Sequence, residues 1–479
     1  MIEKIKNYLQ IKQQILVLSA LLSFAFFIYC YYAFNYDLIW WDEAVYIGMG
    51  KYLATMGQIG FWEYFRPVVF PIFYALVYTL HLPLVFLGKI AVVSSTVGLI
   101  YLAYKEAEIS KKGSGIWAGL FVFLTPVIFY FSKIALSDII SAFLATLALH
   151  FFIKRRDFLS GVLVGIAFLT RFPQGLILVA IMVSLLYREF DKMDSFYFKR
   201  VFFAGLKIFA GFALLVFPYF ISNYFLYGDA LKPIHDASQI ILLYNFLYFK
   251  GLWYYLFELW FSAPFLFLSI FSLVLVFNQF KKDSVKNIPL VSVFITSIIF
   301  CVYFFIQPHK ELRYSIAFIP YLAILAGVGV SWTLDKVSSR YVLRAVYIIG
   351  LILFVSQSVH YLQYREVDPH KDLYDFFADK TGNYLSTTPV PAAVSNILIV
   401  ENIESYNALR DFDIILSNRM NEIDGIIIST SDIFCEAKAK GGNCDKEIEA
   451  LYDKLKVNFK QVYSKDVGIY NDSVFEKIK

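Results

Sequence analysis

Long apolar runs recur along this 479-residue chain, and no other feature limits its fold as much. A helix needs about 20 apolar residues to cross the hydrocarbon core of a bilayer, and fewer where it is buried within a bundle. About eleven runs meet that requirement: residues 14–34, 84–104, 116–131, 138–153, 158–171, 174–187, 202–222, 252–277, 289–306, 313–333 and 341–361. Hydrophobic residues make up 59% of the chain and charged ones only 17%, a balance foreign to soluble globular proteins. The expected fold class is therefore an α-helical polytopic membrane protein of about eleven transmembrane helices. Nothing supports a nucleic-acid-binding role.

Orientation follows from the basic residues, because Lys and Arg collect at the cytoplasmic ends of spans. Lys4, Lys6 and Lys12 precede the first run, Lys105, Lys111 and Lys112 follow the second, and Lys154, Arg155 and Arg156 follow the fourth. Arg188, Lys192, Lys199 and Arg200 come after the sixth, Lys281, Lys282 and Lys286 after the eighth, and Lys336, Arg340 and Arg344 after the tenth. All these clusters fall on one side. The expectation is a multi-pass protein of the cell membrane with a cytoplasmic N-terminus and an extracytoplasmic C-terminal domain. The first run has the basic flank of a signal peptide, but its apolar core is too long and no small-residue cleavage site follows, so it reads as a retained anchor.

Two domains are expected. Residues 1–361 form the membrane domain, with a long external loop at 35–83, and residues 362–479 form a small extracytoplasmic α/β domain. In the loop, GMGKYLATMGQIGFWEYF mixes apolar, aromatic and polar residues as interfacial helices do. PVVFPIFYALVYTL reads as another such helix, since a span there would reverse every later basic loop. In the tail, NILIV (396–400), DIILS (413–417) and GIIIST (425–430) are strand candidates, and CDKEIEALYDKLKVNF (444–459) is an amphipathic helix. QVYS and VGIY suit paired terminal strands. Cys435 and Cys444 flank a turn-like segment of this tail, where an extracytoplasmic setting favours a local disulfide.

The unusual polar residues gather at the outer boundary. They are Asp42, Glu43, Glu63 and Arg66 in the first loop, Asp138 before the fourth run, Arg171 after the fifth, and QPHKELRY (307–314) before the tenth. Each has a plain structural explanation. Lys89 and Lys133 read as snorkelling side chains, Asp138 or Ser137 as a helix cap, and His235 and Asp236 as solvated loop residues. Arg171 is harder to dismiss, because an unpaired guanidinium between apolar runs is costly and calls for a carboxylate or phosphate partner. HKELRY holds more ionisable groups than an interfacial anchor needs, and it suits a clamp on an anionic head group.

The order WWDEAVYIG, RPVVFP, SDIISAF, GVLVGIAFLTRFP and HKELRYSIAFIPYLAILAGVGV resembles the C-type integral-membrane glycosyltransferases. Within these it is most similar to the dolichyl-phosphate-mannose protein mannosyltransferase and aminoarabinose transferase group. The likeness covers residues 14 to 361. It implies a transferase that takes a sugar from a polyprenyl- or dolichyl-phosphate donor and passes it to a protein, glycan or lipid acceptor on the external face. It also implies a base at the acidic pair Asp42 and Glu43, with Asp42 the better match, and a second acid at Asp138. Arg66 and Arg171 match basic positions near the lipid phosphate, while His309, Lys310 and Arg313 lie in the motif near the donor entrance. Phe65 stands where the aminoarabinose branch has an acid before its basic residue. No cofactor is firmly implied; for a divalent metal, Glu63 and His309 are the candidate ligands.

The chemistry suits those residue types. A carboxylate takes the proton of the attacking acceptor hydroxyl, and fixed positive charge holds the departing phosphate. A single base and direct displacement imply inversion at the anomeric carbon, with no covalent intermediate. The alternative from another class is a transporter or flippase of an anionic lipid or lipid-linked sugar. Such proteins place charges or broken helices near the midplane and show paired repeats, which this sequence does not.

Overall fold

A computed structural model describes residues 2–190, 195–243, 248–281, 287–336, 370–403, 411–433, 435, 444–467 and 470–478. The eleventh apolar run and the basic residues Lys192, Lys282, Lys286, Arg340 and Arg344 lie outside the described residues. The chain divides into two compact units, one of residues 1–36 and 89–365, the other of residues 37–88 and 366–479. This division differs from the sequence expectation: the first loop groups with the tail rather than with the membrane helices.

The first unit is helical. Its elements are α1 (Ile2–Phe34), with α4 (Leu84–Ser110) running into it from the loop, α5 (Gly115–Phe123), α6 (Pro126–Phe131), α7 (Ser137–Ile153), α8 (Asp157–Thr170), α9 (Leu176–Phe190) and α10 (Tyr197–Tyr227). Then come α11 (Lys232–Leu243), α12 (Tyr254–Ser262), α13 (Ile270–Lys281), α14 (Ile288–Ile306) and α15 (Ile319–Lys336). Among the described residues, five helices are long and apolar enough to cross a bilayer: Lys12–Phe34, Leu84–Ser110, Phe172–Phe190, Tyr197–Tyr227 and Ile288–Ile306. A sixth arises if the pair Tyr254–Ser262 and Pro264–Asn278, bent by 109°, is one span. Several predicted runs are thus not single straight helices. Run 116–131 breaks between α5 and α6 at Pro126, and run 252–277 breaks at Pro264, because proline lacks the N–H and its ring clashes with the preceding turn. Run 313–333 opens as a 3-10 turn, Leu312–Ala317, ahead of α15.

Close packing in this unit depends on small residues, as expected where lipid leaves dispersion as the main attraction between helices. At Gly161 of α8, an added Cβ would lie 1.9 Å from the Ile208 carbonyl oxygen of α10, so the backbones touch. Lys89 does not snorkel. It is 5% exposed, and its ammonium donates to the carbonyls of Ala33 and Tyr36 at the end of α1. Lys133 sits over the rings of Tyr36 and Tyr130, at 4.0 and 4.3 Å from the centroids.

The second unit contains α2 (Trp41–Ala54) and α3 (Val69–Thr79) from the first loop. From the tail come α16 (Lys371–Phe377), β1 (Thr381–Ser386), α17 (Val390–Val394), β2 (Asn396–Asn402), α18 (Phe412–Arg419), β3 (Gly425–Ser429), α19 (Asp445–Leu455), β4 (Phe459–Val467) and β5 (Tyr470–Lys477). The sheet order is β2-β1-β3-β5-β4. The β1 pairs with β2 and β3 are parallel, and β5 is antiparallel to both β3 and β4. DIILS, expected as a strand, lies inside helix α18, while the central strand TGNYLS was not foreseen. Helices cover the two faces. One core gathers Leu385, Ile426, Ile428, Leu451, Leu455 and Phe475. The other joins Val45, Met49 and Phe61 of the first loop to Phe377, Ile397 and Val474 of the tail. Burial of that loop face explains the division of units: α3, at 11 residues, is too short to span, and α2 spends its apolar side on the sheet rather than on lipid. Cys435 and Cys444 are joined by a disulfide, with S–S 2.09 Å, beside the first of these cores.

Candidate active site in two polar clusters

The acidic pair opens α2, with Asp42 and Glu43 in its first turn. Neighbouring side chains on a helix diverge by about 100°, and the two acids accordingly meet different surroundings. The Asp42 carboxylate accepts from Arg66 Nη1 at 2.6 Å and keeps a side-chain exposure of 13%. Arg66 Nε donates to Glu63 Oε2 at 2.7 Å, so one guanidinium holds two carboxylates. Its plane also approaches the rings of Tyr46 and Phe65, 5.8 and 5.9 Å from the centroids. Burial pushes the Glu63 carboxyl up from its ordinary value, opposed by the Arg66 charge and hydrogen bond. Burial weakens the charged form of Arg66 too, but Asp42 and Glu63 outweigh it and keep the guanidinium protonated. Glu43, in contrast, is fully buried. Burial and its charge both raise the neighbouring Tyr74 hydroxyl, which is itself buried.

A second cluster lies in the membrane unit. Asp138, in the first turn of α7, forms no side-chain cap at Leu136 and instead meets Arg171 Nη2 at 3.1 Å. Arg171 terminates α8 in an extended conformation that aims its guanidinium across to Asp138 and over the Tyr314 ring, 5.0 Å from the centroid. The Tyr314 hydroxyl shares a 3.2 Å hydrogen bond with His309 Nε2, which also lies 3.3 Å from Glu311 Oε1. Glu311 Oε1 accepts from Arg313 Nη2 at 3.0 Å, and its other oxygen lies 2.8 Å from Arg313 Nε as an ion pair. Burial would raise the Glu311 carboxyl, but Arg313 and the hydrogen bonds from His309, Arg313 and Tyr314 prevail and hold it at about 2. Lys310 points elsewhere: its ammonium donates to the carbonyls of Lys250, at 3.1 Å, and Gln307, and burial lowers its pKa.

The residues singled out from sequence therefore fall into two networks. Asp42, Arg66 and Glu63 form one; Asp138, Arg171, His309 and Arg313 belong to the other, linked by Tyr314 and Glu311. Sequence reasoning passed over Tyr314 and gave Glu311 no role, although both stand inside the quoted HKELRY. His235 and Asp236 lie within helix α11 rather than in a loop; His235 is exposed and pairs with Asp229 at 3.5 Å, and Asp236 is half-buried and pairs with Lys232 at 3.0 Å. Among the described residues, no three His, Cys, Asp or Glu side chains are grouped to hold a metal ion. Glu63 is committed to Arg66, and His309 to Glu311 and Tyr314.

The family model of the Alg9-like mannosyltransferases matches residues 51–406, which takes in Arg66, Asp138, Arg171 and HKELR and begins just after the acidic pair. No curated protein matches the sequence. ArnT from Cupriavidus metallidurans, crystallised with undecaprenyl phosphate, has a TM-score of 0.66 at 13% identity, covering 97% of this chain and 98% of that one. Its apo state gives 0.62 at 13% identity, with 98% of each chain covered. The Archaeoglobus fulgidus oligosaccharyltransferase tethered to an acceptor peptide gives 0.60 at 11% identity, covering 96% of this chain and 74% of that one. At these identities the shared property is the fold. A family match over more than half of the chain, on a fold also found in ArnT and an archaeal oligosaccharyltransferase, shows that this membrane protein belongs to the Alg9-like mannosyltransferases, which are glycosyltransferases of the C type.

Proposed function

We propose that the protein is an inverting glycosyltransferase that moves a hexose or pentose, with mannose favoured by its family, from a polyprenyl- or dolichyl-phosphate to an acceptor hydroxyl on the extracytoplasmic face. The observation that carries this reading is the Asp42 carboxylate, held at 2.6 Å by Arg66 yet still in reach of solvent. An ionised carboxylate with lone pairs to spare is suited to take the acceptor proton, and Glu43, enclosed beside it, is suited to support α2. Arg171 and Arg313 are suited to supply positive charge to a departing lipid phosphate, with Asp138 beside Arg171 and His309 beside Glu311 and Tyr314. The undecaprenyl phosphate bound to ArnT and the peptide tethered to the oligosaccharyltransferase support a lipid-linked donor and a macromolecular or lipid acceptor.

In the same reading the chain crosses the membrane eleven times, with a cytoplasmic N-terminus and an extracytoplasmic tail. The one-sided basic clusters support that topology. The test is transfer of radiolabelled sugar from a polyprenyl-phosphate donor by purified wild type and Asp42→Asn. Loss of a general base predicts a fall in kcat of about 10²- to 10⁴-fold. Equal rates for the two proteins would remove Asp42 from the base role.

A further inference from the structure

The acidic pair shares α2 with a lysine whose ammonium faces away from water. Lys51, in the last turn, is 4% exposed, and its Nζ donates to the carbonyls of Ala392 at 3.1 Å, Ala393 at 2.7 Å and Ser395 at 2.8 Å. These carbonyls belong to the C-terminal end of α17, where helical backbone acceptors lack partners of their own. Three donors meet three acceptors, so the contact leaves little freedom of angle or distance. A lysine serving only solubility would carry its head to solvent.

The opposite side of the Asp42 cluster has its own attachment to the same part of the tail. Gly60 accepts from Ile399 N and donates to the Ile397 carbonyl, both at 2.8 Å, adding a bridge to the free edge of β2. It does so with φ +102°, and a Cβ there would lie 2.2 Å from the Gly48 carbonyl of α2, so only glycine fits. Phe61 N then donates to that Gly48 carbonyl at 3.2 Å, and Glu63 and Arg66 follow within one short turn. The helix bearing Asp42 is thus pinned to α17, and the segment bearing Arg66 to β2, which directly follows α17.

We infer that Lys51 is a positioning residue: by fastening α2 to the end of α17, it lets the C-terminal α/β domain set where Asp42 stands relative to Arg66. This rests on the proposed role of Asp42 as the base. In a catalytic geometry a shift of about 1 Å is enough to lower a rate about 100-fold, so a distant clamp acts on turnover rather than on donor binding.

The experiment measures kcat, donor KM and the pH–rate profile for wild type, Lys51→Met, Lys51→Arg and Asp42→Asn in full-length protein. Lys51→Met is expected to lower kcat at least about 10-fold, with donor KM within about 3-fold, and to move the acid limb to higher pH as Asp42 loses Arg66. Lys51→Arg, which keeps charge and several N–H donors, recovers part of kcat and returns the limb. If Lys51→Met yields no folded protein, Lys51→Gln, with two amide donors, takes its place with the same expectation. An inactive Asp42→Asn beside a folded Lys51 variant of wild-type kcat and limb overturns the positioning role alone. An active Asp42→Asn overturns the base assignment whatever Lys51 does.

Discussion

Replacing Arg66 by Met removes one charge and releases two carboxylates, Asp42 at 2.6 Å and Glu63 at 2.7 Å from its nitrogens. With charge centres about 4 Å apart and an effective dielectric of about 20, each pairing is worth about 4 kcal/mol. That is equivalent to about 3 pH units of ionisation at one acid. The Arg66 side chain is 20% exposed, so water replaces part of the loss and the displacement is smaller than that figure. Its sign is fixed: without the cation each carboxylate holds its proton to higher pH. The acid limb of the sugar-transfer profile therefore moves up, so the kcat of Arg66→Met falls further below that of wild type as the pH is lowered from 9 to 5. Arg66→Lys, whose point charge cannot bridge both acids as the fork does, falls between the two. Transfer from a labelled polyprenyl-phosphate sugar, measured from pH 5 to 9 at saturating donor, is the assay. Superimposable profiles for wild type and Arg66→Met would refute the reasoning.

Two further predictions concern stability. His370 is buried, which alone would lower its pKa, but Asp472 at 3.2 Å and Asp432 at 3.5 Å raise it from 6.5 to about 10. This stabilisation is complete below about pH 6.5 and disappears as pH rises through about 10, with an upper size of about 4–5 kcal/mol. Thermal unfolding of the full chain should lose that pH-dependent increment in His370→Asn, and equal slopes between pH 7 and 10 would count against it. Glu311, held at about 2 rather than 4.5, contributes about 3 kcal/mol above pH 4.5 that is lost as pH falls through about 2. Glu311→Gln should therefore unfold at lower temperature than wild type at pH 7, with the gap closing in acid.

The membrane helices were legible where lipid is the dominant constraint. A spanning helix satisfies its own backbone, so an apolar run of sufficient length announces it, as at α1, α4, α10 and α14. The breaks at Pro126 and Pro264 were also written in the chain, but a hydropathy window averages across them. In the tail, NILIV and GIIIS declared themselves by β-branched side chains, whereas TGNYLS became a central strand through pairing on both edges despite its Gly and Asn. DIILS shows the converse, since a short apolar run does not distinguish strand from helix. The polar residues of the two clusters stand out in the sequence by their charge, but their partners do not. Arg66 reaches Asp42 across 24 positions, and the acceptors of Lys51 are backbone carbonyls, which leave no trace in residue type.

The core beneath α2 carries a consequence for biosynthesis. Val45, Met49 and Phe61 are sealed by residues such as Phe377, Ile397 and Val474, and Lys51 finds its first acceptor 341 positions later. At about 5–20 residues per second, the ribosome needs on the order of 20–70 s to deliver that partner. During this interval the apolar side of the loop has no sheet to cover it, and the membrane surface is the nearest shelter. Translation order thus makes this loop wait for the tail before its packing is complete.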